Sequence, residues 1–504
     1  MTKAVLAFDL GTGGCKAALV DPAARVVGTA FVAYDTGYPA PGRHEQRPAD
    51  WWDAVVRSAR ELLASDAGRY EVVAVGLSGH SLAMVPVDAD ANPLLPAVPI
   101  WSDTRGEDAA AAYFAAAGPT HASGAEDAWY GRTGNGFPRG MYTVFKAAWL
   151  RSAHPDVAAR TVRILGSKDW VNARLTGVQR TDQSYASGSG AYDLATRRML
   201  PDVLAALDLP ADWWPEMVAS TAVVGHVTAS AATATGLPAG IPVVAGGVDN
   251  SCMALGAGLD RAGEAYVSLG SSNWVTVAAA EPVLDPVGRP FVFDHVLPGL
   301  YISALSTFGG GSSLNWLAGV LGRDGDLDAL LDEAAAAPVG ADGLTCVPTL
   351  AGGTVAEGGP AVRGAFLGLD LGHTHGHLAR ALVEGIGFSL ADAARAMLVD
   401  VPAEITATGG GARGRLMLQV LADLIGRPVS RPDAAQHGAA LGAATLALLG
   451  TGAWTGTGPL RAARHAALRV DPRPELADAY ALPRVRFDAA RSATRTHATA
   501  TASK

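Results

Sequence analysis

The sequence predicts an α/β protein built from two similar domains facing each other. Three observations carry that expectation. The chain has 504 residues, too many for one ordinary core. Short apolar runs that read as strands alternate with stretches of helical periodicity. And one turn, strand–Gly–hydroxyl residue–small residue–strand, occurs twice, about 260 residues apart, each copy opening a half of the chain, as an internal duplication would leave it.

The elements follow in order. Residues 4–8 are apolar and end at Asp9-Leu-Gly-Thr-Gly-Gly, a buried strand and a tight turn. Residues 15–20 resume as a strand and Asp21-Pro22 breaks it, so this is a hairpin, not the strand–turn–helix of a dinucleotide fold. Residues 26–33 supply a third strand. Pro48-Ala-Asp-Trp-Trp opens a helix to about residue 64, with Asp50 as its expected N-cap and the tryptophan pair as packing. Residues 71–77 form a strand ending at Ser78-Gly79-His80-Ser81. Residues 141–174 are more helical, 181–193 rich in turns. A strand over 242–245 leads into Gly246-Gly-Val-Asp249-Asn250 and a helix.

The pattern then restarts. Residues 264–269 form a strand ending at Gly270-Ser271-Ser272, and 273–278 continue it. A helix is expected over about 377–398, a strand over 404–408 into Gly409-Gly-Gly-Ala-Arg, and an amphipathic helix marked by Leu416, Val420, Leu421 and Leu424. The Ala/Gly-rich stretch 434–449 reads as a tightly packed buried helix. The domains are accordingly set at 1–250 and 251–450. Residues 451–504 are an extension whose last dozen residues, rich in Ala, Thr and Arg, read as a loose tail.

Composition narrows the function. Apolar residues make up 49% and charged ones 17%, so large cores are expected. The net charge of −9 offers no basic surplus for nucleic acid. Cys15, Cys252 and Cys346 lie too far apart in sequence for zinc spacing or a disulfide framework and read as buried apolar residues of a cytoplasmic protein. The start has no signal-peptide core, and no apolar run reaches the length of a membrane span.

Chemistry concentrates at the turns. A glycine–hydroxyl turn after a strand bares backbone N–H groups that can wrap phosphate oxygens. Thr12, Gly13 and, further along, Lys16 belong to the first turn, Gly270 and Ser271 to the second. Asp9 at the strand end suits Mg²⁺, which keeps several waters and takes one or two carboxylates. No Gly-x-x-x-x-Gly-Lys-Ser/Thr motif is present. Asp249 is placed either to accept a hydroxyl proton in phosphoryl transfer or to cap the following helix. The ledge at 409–412 suits an adenine or ribose face, or is a plain tight turn. His80, Ser81, Trp101 and Asp103 cluster near strand ends, as hydrogen-bonding groups and an aromatic wall for a small polyhydroxy substrate. His373, His375 and His377 alternate in a loop with no acidic residue or Cys between them, which argues against a metal site there.

The order of motifs resembles the FGGY carbohydrate kinases, nearest the xylulokinase-like branch. The motifs are Asp9-Leu-Gly-Thr-Gly-Gly, Glu45-Gln-Arg-Pro-Ala-Asp-Trp-Trp52, Pro99-Ile-Trp-Ser-Asp-Thr-Arg105, Lys168-Asp169-Trp170 with Arg174-Leu-Thr-Gly177, Thr181-Asp-Gln-Ser-Tyr-Ala-Ser-Gly188, Gly246-Gly-Val-Asp-Asn250, Ser268-Leu-Gly-Ser271 and Gly409-Gly-Gly-Ala-Arg413. The resemblance implies two ribonuclease H-like (actin-like ATPase) domains facing a deep cleft. It implies ATP with Mg²⁺, and transfer of the γ-phosphoryl to a terminal hydroxyl of a small sugar, a ketopentose such as xylulose. The alternatives are another ketose or a tetritol, and an actin-like ATP-binding sensor. By position, it makes Asp249 the base, Asp9 the Mg²⁺-linked carboxylate, and Thr12, Gly270 and Ser271 the phosphate loops. It places Gly310 and Gly311 on the nucleotide channel, Gly410, Gly411 and Ala412 at adenosine, and Trp101, Asp249 and Asn250 at the sugar. A homodimer is plausible by family. One segment departs: where xylulokinases usually carry Gly-Gln-Met-His-Gly, this chain has Gly79-His-Ser-Leu-Ala83, with Ser81 and Leu82 in place of Met and the sugar-contacting His. Loss of such a hydrogen bond changes substrate discrimination.

Overall fold

The computed structural model describes residues 2–117, 124–323, 325–397, 402–433 and 435–502. The main strands are β1 Lys3–Gly11, β2 Gly14–Val20, β3 Val26–Ala33, β4 Glu71–Gly79, β5 Val223–His226, β6 Pro242–Val244, β7 Gly247–Val248, β8 Ala265–Leu269, β9 Asn273–Ala279, β10 Phe291–Asp294, β11 Tyr301–Thr307, β12 Ile405–Thr408, β13 Val429–Pro432 and β14 Ala466–Val470. The helices that frame them are α1 Pro48–Ala64, α2 Ser167–Thr176, α3 Asp249–Gly256, α4 Gly311–Val320, α5 His375–Met397, α6 Arg415–Ile425, α7 Gly438–Gly450 and α8 Ala481–Ala502.

The two sheets share one plan. The first runs β3-β2-β1-β4-β6-β5, with β7 also on β4; the second runs β11-β9-β8-β12-β13-β14, with β10 added beyond β11. In both, three strands form an antiparallel meander. Two more join parallel to its first strand, and the last returns antiparallel. The doubled turn therefore marks a doubled fold. In each half it closes the hairpin between the first two strands, β1–β2 and β8–β9.

Local rules explain the framing helices. Pro48 starts α1 because a first-turn residue needs no N–H partner. Arg47, not Asp50, is its N-cap; Asp50 sits inside the first turn, where its charge favours the helix N-terminus. Trp51, Ala54, Val55, Ser58, Ala59 and Leu62 recur at helical spacing and bury one face against the first sheet. Cys15, Cys252 and Cys346 are free and buried.

Helix α7 comes from the second half of the chain but packs on the first sheet, with Ala439, Ala443 and Ala447 in one cluster with Val5, Ala7, Ala18 and Ala74. Small residues allow the approach on both sides of α7: a Cβ on Gly76 of β4 would lie 2.2 Å from the Ala443 carbonyl oxygen, and one on Gly442 2.0 Å from the Cys252 carbonyl oxygen of α3. The expected loose tail is instead helix α8 as far as Ala502. Phe487 is buried beside Phe388, and Arg484 and Arg491 both pair with Asp392 of α5. Among the described residues no helix is long and apolar enough to cross a membrane.

Candidate active site

Strand pairing brings two carboxylates to one place. Parallel pairing sets Asp9 of β1 beside Ser78 of β4, and Gly247 of β7 beside the same Ser78. Asp249 follows two residues later, as the first residue of α3. Val248 is the N-cap, so Asp249 does not cap this helix. The Ser78 hydroxyl donates to Asp9 Oδ1 at 2.9 Å. Sequence reasoning overlooked Ser78; its signal was a hydroxyl residue at the end of the neighbouring strand.

The electrostatics differ for the two acids. Burial raises the Asp9 carboxyl, opposed by Lys16, its partner across the β1–β2 hairpin, and by Ser78. Burial, and then the Asp9 charge, push Asp249 up to about 7. A carboxyl at that value accepts a proton readily near neutral pH. Asp249 Oδ1 accepts the Asn250 backbone N–H at 2.8 Å and its side-chain amide at 3.1 Å.

The first turn is open. Thr12, Gly13 and Lys16 are exposed, and a Cβ on Gly13 would meet nothing within 4 Å. The Trp101 indole donates to the Thr12 hydroxyl at 2.9 Å, and Gln46 donates to the Thr12 carbonyl at 2.7 Å. In the second half the predicted residues also converge. Gly311 N–H donates to the Gly270 carbonyl at 2.8 Å. A Cβ on Gly310 would stand 2.7 Å from the Ser271 carbonyl oxygen. Gly411 lies against Leu269, the residue before Gly270, while Gly410 faces open space and Ala412 is buried beneath.

The segment 79–83 behaves differently. His80, Ser81 and Leu82 are only 1%, 6% and 1% exposed. Burial lowers the His80 imidazole to about 4, and its ring meets Trp51 edge-on. Leu82 adopts a left-handed φ of 58° and joins a cluster with Met84, Tyr142, Phe145 and Phe293. The Leu82 side chain, in the place of the family's sugar-contacting His, therefore packs into this apolar cluster. Its carbonyl, and that of Ile100, accept from the fully buried Lys146 at 3.0 and 2.6 Å, which ties this segment to the one carrying Trp101. Unlike the expectation, the histidine run does meet acids, His373 beside Asp370 at 3.4 Å and His377 beside Asp342 at 3.2 Å, though among the described residues no group of three His, Cys, Asp or Glu is placed to hold a metal.

Residues 4–256 match the N-terminal domain, and residues 265–451 the C-terminal domain, of the FGGY family of carbohydrate kinases. The chain belongs to this family. It is an ATP-dependent sugar kinase. Among FGGY relatives, the xylulose kinase of Escherichia coli K12 is 32% identical over 450 residues, covering 88% of this chain and 89% of that protein. The gluconokinase of Bacillus licheniformis is 28% identical over 469 residues, covering 90% and 88%. The crystal structure of xylulose kinase from Rhodospirillum rubrum superposes with a TM-score of 0.88 at 31% identity, covering 99% of this chain and all of that one.

An FGGY kinase needs room for ATP and a place for its cation, and these residues fit both. Gly13 and Gly410 leave space that a side chain would fill. Asp9 commits one oxygen to Ser78. Asp9, with Asp249 near enough to feel its charge and no third ligand group among the described residues, would suit Mg²⁺, which takes one or two carboxylates.

Proposed function

We propose that the protein phosphorylates the terminal hydroxyl of a ketopentose such as xylulose. The observation that carries the reading is Asp249, half-buried at the carboxyl end of β7 and pushed up to about 7 by burial and by Asp9. In this reading Asp249 takes the proton of the acceptor hydroxyl. Asn250 holds one Asp249 oxygen through two hydrogen bonds, which leaves Oδ2 for the acceptor. Trp101 supplies an aromatic wall and, through Thr12, links it to the phosphate turn. The N–H groups near Thr12 and Gly13 and near Gly270 and Ser271 would cradle the phosphates, and Asp9 would hold Mg²⁺, which supplies charge neutralisation. MgATP supplies the phosphoryl group and charge neutralisation; phosphoryl transfer asks the protein mainly for positioning and electrostatics. Closure of the cleft excludes water and limits ATP hydrolysis. Three free, buried cysteines accord with a reducing cytoplasm.

The test is a panel of ketopentoses, hexuloses, tetritols and gluconate, with ADP release followed by a coupled assay. The expected result is the highest kcat/KM with a ketopentose. A higher value with gluconate or a tetritol would overturn the acceptor assignment, and no sugar-dependent ADP release with any acceptor would overturn the kinase reading itself.

A further inference from the structure

Two sequence motifs, Lys168-Asp169 and Thr181–Gly188, contribute nothing to the phosphate turns. The fold brings them together under the turn that carries Asp249. Lys168, in the first turn of α2, is fully buried. Its ammonium pairs with Asp169 at 2.5 Å and with Asp182 at 2.9 Å, and donates to the Ala245 carbonyl at 3.3 Å. The two carboxylates hold Lys168 well above the ordinary lysine range despite its burial. Asn172, one turn on, donates to the same Ala245 carbonyl at 2.9 Å.

The far side of Asp182 continues the chain. Asp182 Oδ2 accepts the Ser184 N–H at 2.9 Å, the Ser184 hydroxyl at 2.5 Å and the Ser220 hydroxyl at 2.8 Å. With its proton on Asp182, the Ser184 oxygen accepts the Val248 N–H at 3.0 Å. Ala245 and Val248 bracket Gly246-Gly247, and Asp249 comes next. Gly246 holds φ +71°, and a Cβ on it would stand 1.9 Å from the Leu77 carbonyl oxygen. Two consecutive glycines hold no direction of their own, so bonds from outside the turn decide where Asp249 points.

We infer that the buried Lys168–Asp182 ion pair, acting through Ser184 on Val248 and directly on the Ala245 carbonyl, is the positioning network of the base Asp249. The inference rests on the reading of Asp249 as base. A buried ion pair is a costly way to fill space, and apolar residues of similar volume would pack as well; a positional task accounts for its presence. The same network grips the acceptor side. Tyr185, whose ring lies 5.2 Å from the Lys168 ammonium, donates its hydroxyl to the His80 carbonyl at 3.0 Å, and Ser167 donates to that carbonyl at 3.1 Å. One buried charge cluster thus references both the base turn and the segment 79–83 to α2. Supporting bonds of this kind set catalytic geometry, where a displacement of about 1 Å costs on the order of a hundredfold in rate.

The experiment is steady-state kinetics on the full-length protein carrying Ser184→Ala, which removes the link between Val248 and Asp182 and leaves the ion pair in place. The expected result is a fall in kcat of about ten- to a hundredfold, with KM for sugar and for ATP within about twofold of wild type. Thr235→Ala serves as the stability control. It deletes another fully buried hydroxyl, bonded to the Ala231 carbonyl at 2.7 Å and making none of the network's bonds, and should leave kcat unchanged. Asn172→Ala loosens the Ala245 side and should show the same kcat-only loss; it decides the matter if Ser184→Ala does not fold. A kcat within twofold of wild type in the folded variants, a loss carried wholly by KM, or an equal loss in Thr235→Ala overturns the network. Asp249→Asn run alongside separates the two readings. Wild-type turnover there sinks the base assignment; loss there with unchanged Ser184→Ala sinks only the network.

Discussion

The indole N–H of Trp101 donates to the hydroxyl of Thr12 at 2.9 Å. A residue assigned to the acceptor is thereby bonded to a residue assigned to the phosphates, and the bond joins the two substrate regions of the first domain. Trp101→Phe keeps an aromatic wall and removes the donor. The bond contributes about 0.5–1.5 kcal/mol. Steady-state kinetics should show kcat/KM falling about two- to tenfold for both the sugar and ATP. A loss confined to the sugar would mean that the bond does not couple the two regions.

With Asp249 as the proposed base, its carboxyl should set the acid limb of the pH profile. Its carboxyl is pushed up to about 7, and only the deprotonated form accepts a proton. kcat/KM should therefore fall as pH drops through about 7, approaching tenfold per unit below it. Asp249→Asn should abolish the limb and cut turnover by about 10²–10⁴. Stability moves the other way. A carboxyl raised in the folded state binds its proton more tightly there than when unfolded, so stability declines as pH rises from about 4 to about 7. Asp249→Asn should melt higher than wild type at pH 8, and the gain should vanish toward pH 4. A pH-independent difference in melting temperature would contradict the raised value.

Chelation should stop turnover, and added Mg²⁺ should restore it. Asp9→Asn keeps a side chain for Ser78 to bond and removes the charge, so the Mg²⁺ concentration for half-maximal rate should rise by about 10–100-fold. An unchanged Mg²⁺ requirement, measured by titration at fixed ATP, would remove Asp9 from the cation's surroundings.

Gly442 of α7 faces the Cys252 carbonyl at a distance that admits no side chain. Gly442→Ala should destabilise the protein by about 1–3 kcal/mol, seen as a lower urea midpoint at constant slope. An unshifted midpoint would show that α7 is not tightly seated on α3.

Much of this arrangement was legible in the sequence, for identifiable reasons. The doubled turn, the strand ending at residue 408, the helix that follows Gly246-Gly247 and the amphipathic helix through Leu416 and Leu424 rest on local signals: glycine, apolar runs and periodicity; β1 runs two residues past its expected end at Asp9, to Gly11. Gly270, Ser271, Gly310 and Gly311 were grouped by family resemblance and converge through backbone bonds. What escaped depends on distant neighbours. Lys146 and Lys168 look like surface lysines in helical stretches, yet both are fully buried because carbonyls or carboxylates from other segments meet them. Leu82 sits where a sugar contact was expected, but Lys146 holds its carbonyl while its side chain joins an apolar cluster. Helix α8 has the composition of a tail, and its order comes from Phe487 and from Asp392 on another helix.

Helix α7 carries a further consequence, for biosynthesis. It covers one face of the first sheet, and just beyond it the Trp454 indole donates to the Pro22 carbonyl, 432 positions earlier in the chain. A ribosome delivers β1 to β4 long before it delivers α7. Until then Val5, Ala7, Ala18 and Ala74 have no permanent cover, and the nascent first sheet presents an apolar face that invites chaperones or misassembly. The N-terminal half supplies all of the core on the α1 side of its sheet, but it cannot close the face that α7 covers ahead of the C-terminal half. The two sheets are duplicates in design, but they mature as one unit, late, and a fragment ending near residue 260 should stay unfinished however long it waits.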